Sequence, residues 1–450
     1  MVEEVGRMTA DKRNVFVVGL DEFQRGQLST ITNAQNMEFH QLLDPDIVTR
    51  VDEHGFTALL DRAREQLEAF DGSIDAIIAH WDFPTSVIVP VLAHEYGLPG
   101  PPLRAVMTCE HKHWARVAQE ASVPEIAPPF AGFDPFDDDA LEGIDVEYPF
   151  WVKPVKSFSS QLGFRIDGPE DFAAAMTEMR EGVGAIGEPF NEALALVDPP
   201  PEVGARSGTN CLAEGIVSGE QGTVEGTVHE GEISIHGVFD SPKDEHGNHF
   251  ARYEYPASTL PEQAQARMRK ACERFLEHIG YEHGCFNAEF MWDPDEDTLC
   301  LVEVNTRISQ SHSDLFSKVD GMSNHEVAVD LALGVEPSMP SRRGNFAVAA
   351  KCFIYTDPID DGVVRSVPSE EDIAAVVADY PETHVSIGVK PGDRLSELSE
   401  QSSYRYDLGT LTIGAADREE LIARHHDCLE RLRFEIDPIE PDTESGADAT

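Results

Sequence analysis

The amino-acid sequence predicts a multidomain protein of mixed α/β and α+β class. Three observations carry that expectation. Strand and helix signals alternate from Asn14 to Gly100, the pattern of a parallel sheet covered by helices. From Cys211 onward the pattern changes to hairpin-like strands separated by glycine-containing turns. The chain has 450 residues with 41% hydrophobic content, more than one core organises, so several domains are expected.

The elements follow in order. The apolar runs 14–20 and 74–79 read as buried strands, and 55–70 and 86–96 as helices, the last closed by Gly97-Leu98-Pro99-Gly100. No GxGxxG occurs in this part, so a dinucleotide site is not supported. Residues 110–121 read as a helix stopped at Val123-Pro124, and an acidic, proline-containing loop spans 130–147. The segment from Pro149 to Pro154 is a short strand ending in Lys153-Pro154. Strands at 212–217, 223–229 and 232–239 follow a breaker-rich loop at 198–208. Residues 262–280 read as a helix, with Met268, Cys272, Phe275 and Ile279 at helical spacing and Gly280 as its stop. Two strands, 285–292 and 299–305, and a helix at 324–333 come next. Residues 344–436 read as a separate α+β unit and 437–450, acidic and without a basic residue, as a disordered tail.

The chain carries 83 acidic residues against 34 basic ones, a formal net charge of −49, and only nine of the basic residues are lysine. Self-repulsion on that scale opposes compaction at low salt, whereas at about 1 M salt the Debye length falls to roughly 3 Å. The composition reads as adaptation to a salt-rich, halophilic cytoplasm and counts against nucleic-acid binding. The N-terminal segment lacks an apolar signal core, and no run of about 18 apolar residues exists to span a membrane. Cytoplasmic localisation without membrane association is the expectation. The seven cysteines are scattered, with no CxxC, and read as small buried hydrophobes rather than a disulfide framework or zinc site.

The strongest chemical signal is Cys285-Phe-Asn-Ala-Glu289-Phe-Met-Trp292, an acidic turn, then Leu299-Cys-Leu-Val-Glu303-Val-Asn305-Thr-Arg307. A hairpin symmetric about Glu296 places Glu289 opposite Glu303, and Glu303 and Asn305, two apart on one strand, share a face. Facing carboxylates repel, and both strands are apolar enough to bury them, so a hard cation resolves the conflict. Two carboxylates and an amide oxygen, with phosphate oxygens completing the shell, suit Mg²⁺. An ordinary acidic hairpin in an acidic protein is the competing reading. Arg307 tilts the balance, being placed to neutralise a transferring phosphoryl group.

A second signal is Lys153 at a strand end, followed by Lys156 and the small polar residues Ser157, Ser159 and Ser160, whose backbone and hydroxyl groups suit phosphate. Lys112, near the start of helix 110–121, is a third cation; a solvated surface lysine is the alternative for each. The third signal is the strand-turn-strand around Glu214-Gly215-Ile216-Val217 and Gln221, able to present backbone groups to an adenine edge.

These signals stand in the order found in the ATP-grasp superfamily, which the chain resembles from about Val15 to Glu336. The resemblance implies an N-terminal parallel α/β domain (1–108), a lid (109–210), an ATP- and metal-binding α+β subdomain (211–340) and a C-terminal α+β extension (341–436). It implies ATP with Mg²⁺, or alternatively Mn²⁺. Lys112 and Lys153 resemble the phosphate-binding lysines and Ser157, Ser159 and Ser160 the lid loop, here without its usual glycines. Glu214, Gly215, Ile216 and Val217 resemble the adenine hinge. Gln221 falls where many members carry a ribose-binding glutamate. Glu289, Glu303 and Asn305 resemble the metal ligands. Arg307 and Lys153 take the catalytic, charge-neutralising roles.

The run from Glu303 to Ile308 is similar to biotin carboxylase, but the following segment, Ser309-Gln310-Ser311-His312, lacks the carboxylate that acts there on bicarbonate. The resemblance therefore implies a carboxylate–amine ligase working through an acyl-phosphate on small-molecule substrates, with a homodimer left open. A bicarbonate-using carboxylase, a phosphoribosylamine-type ligase and a non-catalytic nucleotide-binding protein are the alternatives. Acceptor-site candidates are His236, Lys243, His249 and Arg252, together with Ser311 and His312.

The charge balance makes one prediction. The thermal midpoint rises as KCl goes from about 0.1 M to about 2 M, read by circular dichroism; a salt-independent midpoint contradicts the halophilic reading.

Overall fold

The computed structural model describes residues 12–157, 161–201, 203–204, 207–242, 251–356, 359, 361–398 and 406–439. It divides into two compact units: Met1–Asp240 with Ala257–Ser313 and Met322–Pro340, and Ser241–Pro256 with Asp314–Gly321 and Ser341–Thr450.

The first unit begins with strands β1 (Arg13–Val18), β2 (Met37–Leu42) and β3 (Ala76–Ala79), which form a parallel sheet in the order β2-β1-β3. Its central strand is covered on both faces, as parallel sheets require. Phe16 and Val18 face a large core shared with the helices Phe56–Glu68 and Thr85–Glu95, while Val15 and Val17 meet Leu28, Val329 and Ala332. The runs at 14–20 and 74–79 are thus strands, as read. β2 escaped that reading because its apolar residues alternate with Glu38, His40 and Gln41 along a half-exposed strand.

Strands β4 (Phe130–Phe133), β5 (Phe150–Pro154), β6 (Phe164–Ile166) and β7 (Cys211–Gly215) make an antiparallel sheet ordered β4-β7-β5-β6. The helix Pro169–Gly182 closes its core through Phe172, Ala175, Met176 and Met179. This helix and its successor, Gly184–Leu194, fall in a stretch given no element from sequence.

β8 (Glu220–His229) and β9 (Glu232–Ser241) form the next hairpin. After the short β10 (Arg252–Tyr255) come the helix Glu262–Ile279, β11 (Gly284–Asp293) and β12 (Thr298–Asn305). Within the first unit the strands run in the order β12-β11-β8-β9. The helix buries Ala264, Met268, Cys272, Phe275 and Leu276 in the large core, with Gly280 as its left-handed stop.

The second unit pairs β10 with β13 (Val348–Tyr355), which pairs with β16 (Asp407–Ala415) and through it with β15 (His384–Ile387). β14 (Gly362–Ser366) and β17 (Glu435–Pro438) form a separate pair, and the helix Arg418–Arg431 adds Leu421 and Cys428 to the unit's core. β17 takes in Asp437 and Pro438, the first two residues of the expected tail; 440–450 lie outside the described residues. All seven cysteines are buried. Among the described residues no helix is long and apolar enough to cross a membrane.

Two local departures shape the site. The helix expected at 110–121 is broken at His111 into Leu103–Glu110 and Lys112–Ser122. His111 takes an extended conformation, and its Nδ1 accepts the Trp114 N–H at 3.2 Å as an N-cap. The β11–β12 hairpin pairs Glu289 with Glu303 as expected, but not by simple symmetry about Glu296. Near the turn Trp292 faces Leu299 and Phe290 faces Leu301; a bulge after Glu289 then shifts the register by one.

Phe275 is fully buried where the helix Glu262–Ile279 meets the main core. Phe275→Ala is expected to cost about 3–5 kcal/mol, read as a lowered urea midpoint in high salt.

Candidate functional site

The site is built on one face of β8, β11 and β12. Directly paired residues of adjacent strands share a face. One row therefore holds Thr223, Glu289 and Glu303, and the next holds Glu225, Asn287 and Asn305. Burial together with the Glu303 charge pushes the Glu289 carboxyl up to about 7. Burial acts the same way on Glu303, but Lys112, Lys153 and Lys156 outweigh it and hold that carboxyl below its ordinary range. Gln221 Nε2 donates to Glu289 Oε2 at 3.0 Å, directing Gln221 toward the acidic pair. Asn305 Nδ2 donates to Asn287 Oδ1 at 3.0 Å and approaches Glu289 Oε1 at 3.5 Å, leaving the Asn305 oxygen as its ligand atom.

These residues fit a divalent ion. A carboxyl whose proton is retained near neutrality by burial and a neighbouring carboxylate is a place where a cation lowers the energy. Among the described residues no group of three or more His, Cys, Asp or Glu side chains could hold a metal. Two glutamates and an amide would need further oxygens from phosphate or water, as Mg²⁺ ordinarily takes.

Cations converge on this pair from separate elements. Lys112 opens its helix at the His111 break, where its N–H donates to Val155 O at 2.9 Å. Its Nζ lies 3.5 Å from Glu303 Oε1 and donates to Ser157 O at 3.1 Å. Lys153, at the end of β5, is ion-paired with Glu214 on the neighbouring β7. Arg116 holds the other Glu214 oxygen through Nε at 3.0 Å and Nη2 at 2.9 Å. Its Nη1 donates to Val302 O at 2.8 Å and Leu301 O at 3.2 Å, the carbonyls at the β12 bulge. Burial opposes ionisation of Glu214, yet Arg116 and Lys153 hold its pKa down at about 2.

Arg307, just beyond β12, makes a bidentate pair with Asp82, Nε to Oδ1 and Nη2 to Oδ2, both at 2.7 Å. Burial would raise the Asp82 carboxyl, but Arg307, Lys156 and Lys112 hold it at about 2. Lys156 is buried against Glu110, which also accepts from Ser86 Oγ at 2.5 Å.

Ile216, in the segment between β7 and β8, is an apolar side chain 41% exposed. Gly215 lies on β7, its N–H donating to Pro129 O at 2.9 Å, and Val217 is half-buried just beyond. Ser159 and Ser160 lie outside the described residues, as do Lys243 and His249.

His312 is an internal group rather than a substrate-facing one. It is buried, stacked on Phe239 with ring centroids 3.6 Å apart, and its Nδ1 lies 2.6 Å from Glu225 Oε2. His236 contacts Thr227 Oγ1 at 3.1 Å, and Arg252, in the second unit, pairs with Glu254. Sequence reasoning missed Asp82, Glu110, Arg116 and Asn287. Only Asp82 carried a signal, its place just past the C-terminal end of a parallel strand, where such sheets present their sites.

The comparisons with known proteins bear on this geometry. Residues 247–338 match the family model for the carbamoyl-phosphate synthase L chain ATP-binding domain. The carbamoyl phosphate synthase large chain of Thermotoga sp. is 39% identical over 114 residues, 25% of this chain and 10% of that protein. The chain thus spans about a tenth of the length of that relative. The L-amino acid ligase from Bacillus licheniformis superposes with a TM-score of 0.69 at 16% identity, covering 95% of this chain and 99% of that one. A biotin carboxylase–β,γ-ATP complex from Campylobacter jejuni gives a TM-score of 0.62 at 15% identity, covering 94% and 92%.

The chain has the ATP-grasp fold. Within that fold the β8-β11-β12 face and the cations from β5 and the helix Lys112–Ser122 bring Lys112, Lys153, Glu214, Gln221, Glu289, Glu303, Asn305 and Arg307 into one cluster of charged and polar side chains.

Glu214 gives this site a testable electrostatic signature. Its folded pKa of about 2 lies below the ordinary 4.5, so its stabilisation is full above about pH 4.5 and is lost as pH falls through about 2. Glu214→Gln leaves Arg116 and Lys153 without a counter-charge. It is expected to lower stability by about 3–5 kcal/mol at neutral pH, the difference shrinking below pH 4.5, in urea titrations at high salt.

Proposed function

We propose that this protein is an ATP-dependent carboxylate–amine ligase. The observation that carries the reading is the Glu289–Glu303 pair, two carboxylates set opposite each other and ringed by Lys112, Lys153, Lys156 and Arg307. A protein that only buried acidic residues would not gather so many cations around a pair it leaves in repulsion. That arrangement suits a nucleoside triphosphate together with a divalent ion that the glutamates would hold. The similarity in fold to an L-amino acid ligase supports the same reading.

Glu289, Glu303 and Asn305 would hold Mg²⁺, with Mn²⁺ as a substitute, and the ion when bound would neutralise phosphate charge. Lys112 and Lys153 bind phosphate oxygens, and their pairing with Glu303 and Glu214 keeps both side chains extended over the site. Arg307, clamped by Asp82, holds its guanidinium where charge grows on the transferring phosphoryl group. A substrate carboxylate oxygen forms a bond to the γ-phosphorus as the bond to the bridging oxygen breaks, and ADP leaves with that electron pair. An amine then attacks the acyl carbon, phosphate departs, and the amine's proton passes to solvent. The segment after Lys153, as a lid, excludes the water that would hydrolyse the acyl-phosphate.

The reading extends to a division at 1–108, 109–210, 211–340 and 341–436, Gly215–Val217 as the adenine edge, and a salt-rich cytoplasm as the compartment. Purified protein in high salt with ATP, Mg²⁺ and mixtures of carboxylates and amines is expected to release ADP and phosphate. No release from any mixture counts against a ligase, and release that depends on bicarbonate alone assigns a carboxylase. Glu303→Gln is expected to lower turnover by more than about 100-fold while ATP binding persists, measured by calorimetry beside ADP release. A variant that only weakens binding, in a protein with no turnover, points to a nucleotide sensor.

A further inference from the structure

Against Arg307 lies a largely apolar cavity of about 70 Å³. Its walls come from the end of β3 (Ile78, Ala79), from Trp81 and Val89, and from the helix Asn324–Ala332 through Ala328 and Leu331. Among the described residues no aspartate, glutamate or lysine lines it, and Arg307 is its one permanently charged wall. Thr306, next in sequence, also lines it, and its buried Oγ1 has no hydrogen-bond partner among the described residues.

Arg307 carries five N–H donors. Nε and one donor of Nη2 engage Asp82, and one of Nη1 engages Ile308 O at 3.1 Å. Among the described residues those bonds leave one donor on each terminal nitrogen of this cavity-lining side chain. An apolar chamber with a guanidinium at its rim and an unanswered hydroxyl in its wall is complementary to a carboxylate on a short aliphatic tail. An apolar cavity of about 150 Å³ accommodates the six carbons of benzene, so this one takes about three, the size of the branched end of an isobutyl group.

We propose that this cavity is the tail subsite for the carboxylate substrate, and that the preferred substrate is a carboxylic acid with a short branched aliphatic chain. Its chemical consequence rests on the ligase reading. A tail in the cavity brings the carboxylate to Arg307, the residue that also meets the transferring phosphoryl group, so one side chain joins the two reactants. A tail too long for the chamber pushes the carboxylate away from Arg307, and one too short forfeits apolar burial worth about 0.8 kcal/mol per methylene.

The test uses the full chain in high salt with 4-methylpentanoate and leucine, which share an isobutyl group and differ in the α-ammonium, beside acetate and octanoate. Thermal melts with each acid report binding without chemistry, and ADP release with ATP, Mg²⁺ and an amine panel reports turnover. Either isobutyl acid is expected to raise the midpoint where acetate and octanoate do not. The stronger of the two decides between a simple acid and an amino acid. Ala328→Leu and Val89→Phe fill the chamber from two different elements and are expected to weaken that response at least tenfold while leaving ATP binding unchanged.

Stabilisation by an isobutyl acid without ADP release supports the subsite and defeats the ligase. ADP release whose preference among the four acids is unchanged in both folded variants overturns the subsite and leaves the ligase standing. Absence of any stabilisation by the isobutyl acids in the wild type also overturns it.

Discussion

The site depends on one constraint: the β11–β12 register sets Glu289 and Glu303 directly across from each other on one sheet face. Two like charges in that position repel, and desolvation adds to the cost of ionising them. The two members respond differently because their surroundings differ. Glu303 sits within reach of three lysines and stays ionised readily, whereas Glu289, with Gln221 and Asn305 as its hydrogen-bond partners, holds its proton up to about 7. A pair so divided is poised for a cation, and the surrounding charges can be understood as answers to it.

Each of those charges is itself held by an opposite one. Buried charges are tolerated when paired and hydrogen-bonded, and removing one partner is far costlier than the pair's net contribution. Glu214 joins Lys153 to Arg116, and Arg116 joins both to the carbonyls at the β12 bulge. Thus the irregularity that carries Glu303 into register with Glu289 also anchors Lys153, through Arg116 and Glu214. On the other side Asp82 fixes Arg307, and Glu110 fixes Lys156 while accepting from Ser86 in the cavity wall. The apolar chamber and the cation cluster are therefore linked through Ser86, Glu110 and Arg307.

Much of this was legible in the chain because its signals were local. The alternation along 285–292 and 299–305, the acidic turn between them and Arg307 just beyond predict a hairpin with facing carboxylates, and the hairpin is present. The predicted pairing holds although its stated symmetry does not: the turn is offset by one residue and the bulge restores the register. The helix expected at 110–121 breaks at His111, since an imidazole acting as N-cap is a weaker sequence signal than Ser, Thr, Asp or Asn. His312 looked substrate-facing from its distance to Arg307 in sequence, yet its ring is taken up by Glu225 and Phe239.

By itself the amino-acid sequence determined the alternating α/β start, the hairpin with its two glutamates, the cations at Lys112, Lys153 and Arg307, and a strongly acidic composition. These follow from periodicity, turn chemistry and charge, which act between near neighbours along the chain. Only the tertiary structure decided which counter-ion holds each cation, because Asp82 and Arg307, or Arg116 and Glu214, lie far apart in sequence and meet through packing of separate elements. The cavity beside Arg307 was likewise invisible beforehand, since a void is defined by several segments failing to fill a space and no single segment carries its signature.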